Sequence, residues 1–301
     1  MPQYVPLTEE NLAEVCALSN RNLTFDEVTL DFFRHLTLGD PDYEPAMALV
    51  AVVDGKPCGY MMAVCRKNDD NVRATIKLFA VDEEFRGRKI ATEMLSRIEA
   101  EAKARGAKSL SVGFIPPNYI TAGIDPRYTA AVAFLIRRGF THDGGAFNMD
   151  VDLSVSDWST EALEEKLAKE GVICRRVRRD ERAPLRKWMA ADGWSIGWQV
   201  EVCHAIDQDP VAVFVAEKDG EYLGFASYDG VRPGWFGPMA TTKNLRTGGI
   251  GSVTFLRCLQ DMKAVGYRIC EINAVGPLYF YSKVSNAIVS RMFWHMEKEL
   301  G

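Results

Sequence analysis

An internal repeat is the feature of this sequence that most limits how the chain can fold. Residues 78–106 (LFAVDEEFRGRKIATEMLSRIEAEAKARG) align without a gap with residues 238–266 (PMATTKNLRTGGIGSVTFLRCLQDMKAVG), at a constant offset of 160 positions. Within this alignment Arg86 matches Arg246. Because the offset of 160 residues has the size of a domain, the chain of 301 residues is predicted to contain one fold twice.

A second pair of similar segments lies upstream of each copy. Residues 50–64 and 213–227 are both apolar, and an Asp-Gly pair interrupts each of them. An Asp-Gly turn between apolar, β-branched segments predicts a β-hairpin. Each half also opens with a stretch of helical spacing, and residues 110–114 and 269–275 read as a further strand after the repeat. Each half is therefore predicted to contain a helix, a hairpin, another strand, a second helix and a last strand.

The junction between the halves is predicted near residues 153–171. This segment, LSVSDWSTEALEEKLAKEG, combines a Ser- and Asp-rich turn with a charged helical stretch, as is typical of a linker. The predicted organisation is an N-terminal domain over 1–153, a linker helix over 154–171 and a C-terminal domain over 172–301.

A glycine-rich loop in the second half points to a phosphate ligand. The segment LRTGGIG (245–251) lies between an apolar strand and a helix. The first backbone N–H groups of a helix have no partner within it, and they point outward at the positive end of the helix dipole. Gly248, Gly249 and Gly251 would let a ligand approach these groups, and Arg246 would add positive charge. The segment therefore predicts a pyrophosphate site, with an ordinary glycine turn as the alternative.

The first half carries a weaker copy of this loop, FRGRKIA (85–91). Lys89 stands where the second copy has a glycine, and Ala91 replaces the last glycine with a small side chain. Lys89 could screen a phosphate or block the backbone, and the sequence leaves both readings open. Neither copy has the spacing of a dinucleotide fingerprint, GxGxxG, or the Gly-Lys-Ser/Thr of a Walker loop.

Composition and residue spacing argue against several classes of partner and site. A formal net charge of −5 argues against a nucleic-acid partner, since such proteins carry a basic field. No apolar stretch approaches the roughly 20 residues of a membrane span, and no signal peptide is recognisable. The cysteines form no CxxC pair, and the histidines show no metal spacing. We therefore expect a cytoplasmic protein with reduced thiols, no metal, and neither a nucleic-acid nor a membrane partner.

The two loops give the chain its family resemblance. Both halves resemble the GCN5-related N-acetyltransferase (GNAT) superfamily, whose loop reads Arg/Gln-x-x-Gly-x-Gly/Ala, and the whole chain resembles tandem two-domain members such as mycothiol synthases. The second loop matches this pattern fully and the first matches it in part. The resemblance implies an α/β (α+β) fold in which each domain has a mixed, mostly antiparallel sheet flanked by helices.

The resemblance also implies acetyl-CoA, or another acyl-CoA, as the cosubstrate. The strand before each loop would bind the pantetheine arm through its backbone, and the loop would bind the pyrophosphate. The residues implied in these contacts are Phe79, Ala80, Val81, Arg86, Gly87, Arg88, Lys89, Ile90 and Ala91 in the first half, and Met239, Ala240, Thr241, Arg246, Thr247, Gly248, Gly249, Ile250 and Gly251 in the second.

The family's catalytic tyrosine, which protonates the leaving thiolate, has a partial match in the second half. In GPLYFYSKVSNAIVS (276–290), Phe280 and Tyr281 stand at the key positions, but the Gly-Phe pair that should follow is absent. Tyr281 is the predicted general acid, with an ordinary buried tyrosine as the alternative. The first half has Leu135 at the equivalent position, and leucine cannot donate a proton.

Substrate-contacting residues are predicted in two places. The first half has an extra loop, residues 115–131, with Tyr119, Asp125 and Tyr128; it would form a substrate or interdomain wall, or be a surface loop stiffened by prolines. In the second half the predicted contacts are Trp198, Glu201 and Asp229, with core packing for the tryptophan and solvated carboxylates as the alternatives.

Together these features predict an acetyl-CoA-dependent N-acetyltransferase acting on a small-molecule amine, with the chemistry in the C-terminal domain and a monomer or homodimer as the assembly. The alternatives are an acyl-CoA sensor or scaffold without chemistry, and catalysis in the N-terminal domain through Tyr119 or Tyr128.

Overall fold

The computed structural model describes residues 2–68, 71–242 and 248–301. The chain divides into two compact units. The first unit consists of Met1–Ala146 together with Met292–Gly301, and the second consists of Phe147–Arg291.

The elements of the first unit follow the predicted order. Its strands are β1 (Gln3–Pro6), β2 (Ala48–Val53), β3 (Lys56–Asn68), β4 (Asn71–Val81) and β5 (Ser109–Val112). Its helices are α1 (Leu12–Asn22), α2 (Leu30–Leu36), α3 (Ile90–Ala104) and α4 (Thr129–Arg137). The strand β6 (Thr141–Asp152) begins in this unit and ends in the second.

The second unit repeats this order. Its helices are α5 (Glu161–Lys169), α6 (Arg182–Ala191), α7 (Ile196–Asp207), α8 (Ile250–Ala264) and α9 (Leu278–Ser285). Its strands are β7 (Ile173–Arg176), β8 (Val213–Lys218), β9 (Glu221–Tyr228), β10 (Trp235–Thr241) and β11 (Ile269–Ile272). The last strand, β12 (Ile288–Glu299), begins here and ends in the first unit.

The two sheets have the same pattern of pairing. In the first unit the order is β1-β2-β3-β4-β5-β12, and the pairs are antiparallel except for the parallel pair β4–β5. In the second unit the order is β7-β8-β9-β10-β11-β6, again with one parallel pair, β10–β11. The predicted fold, a mixed and mostly antiparallel sheet with helices in each half, is confirmed.

Each sheet is completed by a strand from the far end of the other half. Glu297, Lys298 and Glu299 of β12 pair with Ser111, Leu110 and Ser109 of β5. In the second unit, residues 149–152 of β6 pair with β11. The compact units therefore group the chain ends differently from the predicted ranges 1–153 and 172–301. Likewise α5, in the predicted linker, packs within the second unit, where Glu164 accepts two hydrogen bonds from Arg257 of α8 at 2.6 and 2.7 Å.

Helices cover both faces of the first sheet. Leu12, Val15 and Leu18 of α1 and Phe33 and Leu36 of α2 are buried in a cluster with alternate residues of β2, β3 and β4. On the other face, α3 and α4 bury a second cluster that contains Met94, Ile98 and Leu135. This alternation along β4 places successive side chains on opposite faces of the sheet.

Two further observations concern the described part of the chain. Among the residues that the structure describes, no helix is long and apolar enough to cross a membrane. Within the same ranges, the His, Cys, Asp and Glu side chains form no group that could hold a metal ion.

Candidate functional site

A gap opens in the first sheet where β4 and β5 diverge. The two strands pair in parallel at Ala74, Thr75 and Ile76, and Gly113 then donates its backbone N–H to the carbonyl of Ile76 at 2.8 Å. The register between β3 and β4 shifts beside this point, since Met62 pairs with Leu78 and Ala63 with Ile76. The extra residue on β4 is Lys77, so a β-bulge marks the beginning of the divergence. The backbone of Phe79–Val81 lies beyond it.

The second sheet diverges at the equivalent place. β10 pairs with β11 at Trp235 and Phe236, and its register with β9 shifts between Phe236 and Met239. Gly237, one of the two residues within this shift, lies 160 positions after Lys77, so the two copies have an irregularity at the same place. Both predicted pantetheine segments, Phe79–Val81 and Met239–Thr241, therefore follow a bulge and run beside a gap.

The loop before α3 has the backbone geometry of an anion site. Gly87 and Lys89 have positive φ angles of 77° and 64°, and Ile90 begins the helix as a buried residue. Left-handed residues before a helix turn its first N–H groups toward an approaching ligand. The Arg86 guanidinium donates to the carbonyl of Val81 at 3.0 Å and to Oδ1 of Asn22 at 2.8 Å, so it fastens the loop to β4 and α1.

A cavity of about 860 Å³ occupies the gap between these elements. We call it the first-unit cavity; its walls are formed by Leu78–Val81 of β4, Arg86–Gly87 and Lys89–Thr92 at the start of α3, Asn22–Asp26 after α1, and parts of residues 120–138. Most of the acyl-CoA contacts predicted for the first half lie on it, namely Phe79, Ala80, Val81, Arg86, Gly87, Lys89, Ile90 and Ala91. Arg88 instead stacks its guanidinium over the ring of Phe85, 5.0 Å from its centroid.

The size and charge of the first-unit cavity fit an acyl-CoA. Its volume lies within the usual range of roughly 300–1,000 Å³ for small-molecule sites. Arg86, Lys89, Arg137 and Arg138 line the end beside the N-terminus of α3, and all four side chains are exposed. Cationic side chains at a helix N-terminus suit a pyrophosphate. Lys89 has a left-handed backbone conformation, and its side chain is exposed.

The extra loop 115–131 forms one wall of this cavity. Its start is held by Arg66, which donates to the carbonyls of Ile115 and Pro117, each at 3.0 Å. The same guanidinium pairs with Asp40 and Asp42 at 2.7 and 2.8 Å. The loop is therefore anchored by a partly buried arginine that also pairs with the buried Asp40, and its later residues line the cavity.

The structure separates the candidate residues of this loop. Asp125 and Tyr128 line the cavity, whereas Tyr119 packs edge-to-face on Phe114 and does not belong to the described lining. Asp125 accepts hydrogen bonds from the Arg127 guanidinium, the shortest at 2.6 Å. Leu135 is fully buried in the core between α4 and the sheet, so its side chain supplies packing at the position where the family has its tyrosine.

Several cavity residues were missed by the sequence analysis. Asp26 and Phe25 lie in the connection between α1 and α2, which carries no motif. Lys77 could have been found, because it is a charged residue between apolar residues of a strand. Its ammonium donates to the Leu36 carbonyl at 2.6 Å and pairs with Asp40. Burial lowers the pKa of Lys77 to about 8, although the Asp40 carboxylate acts in the opposite direction.

The second loop is described in part. Arg246 and Thr247, two of its predicted contacts, lie outside the described residues. Gly249 has a φ of 126° and precedes Ile250, the first residue of α8. A Cβ atom on Gly251 would lie 3.3 Å from Cε of Met239, so a glycine here allows α8 to approach β10 closely. Lys166 of α5 donates to the carbonyl of Gly248 at 3.4 Å.

Tyr281 lies in the aromatic core of the second unit. Its ring packs edge-to-face against Phe255 at 5.2 Å and against Phe236 at 6.1 Å between centroids. Only 6% of the residue is exposed, and burial raises the pKa of its phenol strongly. Because Phe236 lies on β10 directly before the bulge, the tyrosine is close to the strand that diverges.

Two other candidates of the second unit, Trp198 and Asp229, have different local surroundings. Trp198 stacks on Trp194 with the rings 5.4 Å apart and nearly parallel. Asp229 accepts hydrogen bonds from the Gly234 N–H at 2.7 Å and the Tyr267 hydroxyl at 2.8 Å. Since Tyr267 follows the C-terminal end of α8, Asp229 fastens the end of the unit remote from Gly249. Burial raises its pKa, and the two hydrogen bonds act against this increase.

Glu201 of α7 is a buried carboxyl that lacks a full set of partners. The residue is 3% exposed, and its Oε1 atom has no hydrogen-bond partner among the residues that the structure describes. Desolvation raises the pKa of Glu201 to about 8. A carboxyl in this environment is protonated at neutral pH, where it can donate a hydrogen bond.

This environment makes the stability of the second unit depend on pH. The folded-state pKa of Glu201 lies above its ordinary value of 4.5, so the folded state holds the proton over an interval in which the unfolded state releases it. The free energy of unfolding should therefore fall as the pH rises from about 4.5 to about 8. We expect Glu201→Gln to remove this slope, as measured by urea unfolding at several pH values. Glu165→Gln, at an exposed position of α5, is the control, and an equal slope in all three proteins would contradict the assignment.

Comparison with known proteins relates part of the chain to a family and the whole chain to solved structures. Residues 12–123 match the family model described as "Acetyltransferase (GNAT) family". No curated protein matches the chain. Among solved structures, a GCN5-related glucosamine N-acetyltransferase region of a fungal multi-domain GH3 β-N-acetylglucosaminidase has a TM-score of 0.82 and 16% identity over 99% of the chain. The chain spans 38% of the length of that protein.

Two solved structures match over nearly the full length of both proteins. A GCN5-related N-acetyltransferase from Sphaerobacter thermophilus has a TM-score of 0.69 and 15% identity, covering 99% of this chain and 96% of its own. A tandem GNAT protein from the clavulanic acid biosynthesis pathway has a TM-score of 0.68 and 14% identity, covering 100% and 99%. At these identities the matches show the fold alone. The family match is therefore confined to residues 12–123, and the chain as a whole has the fold of tandem GNAT proteins.

Proposed function

We propose that the protein is an acetyl-CoA-dependent N-acetyltransferase that acts on a small-molecule amine, and that the first-unit cavity takes both substrates. The observation that carries this proposal is the cavity itself. It joins the diverging strand Phe79–Val81, the loop before α3 and the extra loop 115–131 in one space of about 860 Å³. The cationic side chains at the N-terminus of α3 suit the phosphates, and the lining also contains the carboxylates Asp26 and Asp125.

Two buried carboxylates in the cavity lining support an amine as the acceptor. Asp26 and Asp125 are each 2% exposed; Asp125 pairs with the Arg127 guanidinium at 2.6 Å, and Asp26 accepts a hydrogen bond from the Tyr128 hydroxyl at 2.8 Å. Carboxylates near an acceptor site favour a cationic amine and raise its local concentration. The match of residues 12–123 to the GNAT family model supports acyl transfer in general, so the acceptor is the part of the proposal that needs an experiment.

The direct test is release of free CoA from acetyl-CoA in the presence of small amines. The panel should contain amino acids, polyamines, amino sugars and a short peptide, with thiol release followed by absorbance and the acetylated product identified by mass spectrometry. We expect one amine class to give turnover well above the rate without an amine. Binding of acetyl-CoA without transfer to any amine would favour the sensor or scaffold alternative. The buried Leu135 supports that alternative, because it occupies the position of the family's tyrosine and cannot donate a proton.

The competing hypothesis places the chemistry in the second unit at Tyr281. If Tyr281 were the general acid, Tyr281→Phe would lower kcat by about 100-fold or more with little effect on acetyl-CoA affinity. Because the tyrosine packs between Phe236 and Phe255, we instead expect kcat to stay within about twofold. The measurement is kcat and KM for the amine found above, and a loss of kcat alone would move the chemistry to the second unit.

A further inference from the structure

Two pairs of neighbouring residues meet on one wall of the first-unit cavity. Phe25 and Asp26 follow α1, and Arg127 and Tyr128 precede α4. The Arg127 guanidinium lies over the Phe25 ring, 3.9 Å from its centroid, and the Tyr128 hydroxyl donates to Oδ2 of Asp26 at 2.8 Å. Because consecutive Cα atoms are about 3.8 Å apart, these two contacts place the Arg127 cation and the Asp26 carboxylate at neighbouring positions of the wall.

The Arg127 guanidinium has a fixed orientation. Its Nε donates to Oδ1 of Asp125 at 3.0 Å and its Nη2 donates to Oδ2 at 2.6 Å, so a carboxylate holds one edge of the group. The backbone N–H of Arg127 also donates to Oδ1 of Asp125, at 2.9 Å. The Phe25 ring supports the face of the guanidinium. An arginine held in this way loses little conformational entropy when a ligand binds to it.

The same guanidinium is accessible from the cavity. Arg127 lines the cavity, and 49% of its side chain is exposed although its partner Asp125 is buried. A guanidinium carries five N–H donors in a planar fork, so it can bind a second carboxylate while it is paired with a first. The wall thus combines a cation that can bind a carboxylate with a carboxylate, Asp26, that can attract an ammonium group.

The other cations of the described cavity lining are placed for different contacts. Lys77 is buried against Asp40. The cations that line the cavity beside the N-terminus of α3, where a pyrophosphate would bind, are Arg86, Lys89, Arg137 and Arg138. Arg127 instead contacts Asp125 in the extra loop and Phe25 after α1, and the pyrophosphate interpretation does not use it.

We propose that the acceptor is a small zwitterion, in which a carboxylate lies a few bonds from the amine that is acetylated, as in an amino acid. Arg127 binds the carboxylate, Asp125 positions Arg127, and Asp26 attracts the amine. The inference rests on the proposed function, because it names the class of acceptor for that reaction. Polyamines and amino sugars without a carboxylate are then poor acceptors, since they have no group for the Arg127 guanidinium.

The first experiment compares acceptors that differ in their carboxylate. CoA release from acetyl-CoA is measured with the twenty standard amino acids, with polyamines and with amino sugars, and each amino acid that is acetylated is then compared with its amide. We expect at least one amino acid to react, with kcat/KM about 10- to 100-fold above that of its amide, the range for a hydrogen-bonded ion pair. Turnover of polyamines or amino sugars alone, or an amide that reacts as well as its acid, would overturn the inference, while amine acetylation would stand.

The second experiment assigns this preference to Arg127. Arg127→Gln removes the cation and keeps a polar side chain. We expect KM for the amino acid to rise about 10- to 100-fold, with kcat within about twofold and KM for the amide unchanged. Arg127→Lys keeps the charge without the planar fork and should retain part of the preference. Because the same two compounds are compared in each protein, the different basicity of their amines does not affect the result.

Arg97→Gln is the matched control. Arg97 of α3 donates to Glu93 at 3.0 Å, lies over the ring of Tyr4 at 4.5 Å and has a side chain that is 47% exposed, but it does not belong to the described cavity lining. This variant should keep the native preference for the acid. An equal loss for acid and amide in Arg127→Gln would show that Arg127 only supports the loop, which would overturn the inference. Absence of transfer to any amine would overturn both the inference and the proposed function.

Discussion

Ala91→Glu is expected to abolish acetyl-CoA binding at the first unit, with an affinity loss of at least about 100-fold. Ala91 is the second residue of α3 and lines the first-unit cavity. A glutamate there would fill space beside the backbone N–H groups of the helix and would repel the pyrophosphate at close range. The fold should persist, because an acidic side chain in the first turn of a helix is favourable.

Calorimetry with acetyl-CoA tests this expectation, with two comparison variants. Ala100→Glu adds the same charge to an exposed position of α3 away from the described cavity, and it should bind normally. Gly249→Glu changes the corresponding loop of the second unit, where the glycine has a φ of 126°. Loss of all binding in Ala91→Glu alone would place the working site in the first unit. Retention of one site until both loops are changed would mean that both units bind the cosubstrate, and full binding in Ala91→Glu would remove the first-unit cavity from the proposal.

Much of the architecture could be read from local patterns. The repeat predicted equivalent helices after the two loops, and α3 and α8 begin at Ile90 and Ile250, the same 160 positions apart. The hairpins followed from Asp-Gly turns, whose residues Asp54 and Asp219 have positive φ angles of 51° each. These features depend on residues that are neighbours in the sequence, so the sequence alone is sufficient to predict them.

Local patterns could not predict which sheet β6 and β12 complete. β6 and β12 each follow the last helix of their own half, and nothing in their sequences states which sheet they complete. The choice depends on pairing with β11 and β5, which lie more than 100 residues away along the chain in each case. Such non-local pairing is determined by the packing of the whole unit.

In the candidate site, too, the residues of a local motif could be predicted, whereas residues that meet through loop packing could not. A motif predicted the loop before α3. Asp26 lines the cavity because the connection between α1 and α2, which has no motif, lies beside Tyr128. Tyr281, the tyrosine predicted from the partial match to the family's motif, lies in an aromatic core, and the tyrosine on the cavity wall comes from the extra loop. A sequence motif predicts which ligand is bound, whereas the residues beside the acceptor depend on how separate loops pack together.

Gly123→Ala is expected to destabilise the first unit by about 2–5 kcal/mol, through backbone strain and a steric clash together. Gly123 has a φ of 153°, and a Cβ atom on it would lie 2.6 Å from the carbonyl oxygen of Trp294. Its neighbour Ile124 exchanges two backbone hydrogen bonds with Trp294, at 3.0 and 2.8 Å. The C-terminal segment Met292–Gly301 thus holds the cavity loop against the sheet of its unit.

The clash has a consequence for binding as well as for stability. Gly113 also approaches Gly123, since a Cβ atom on Gly113 would lie 2.7 Å from its backbone, and both glycines line the first-unit cavity. A methyl group at Gly123 must therefore move the loop that ends in Asp125 and Tyr128. Urea unfolding should show the loss of stability, and calorimetry should show weaker acetyl-CoA binding under conditions in which the variant is folded. Gly276→Ala, where a Cβ atom meets nothing within 4 Å, is the control and should behave as the native protein. If Gly123→Ala were as stable as this control, the loop could not be held by Trp294, and the wall of the proposed site would have to be formed differently.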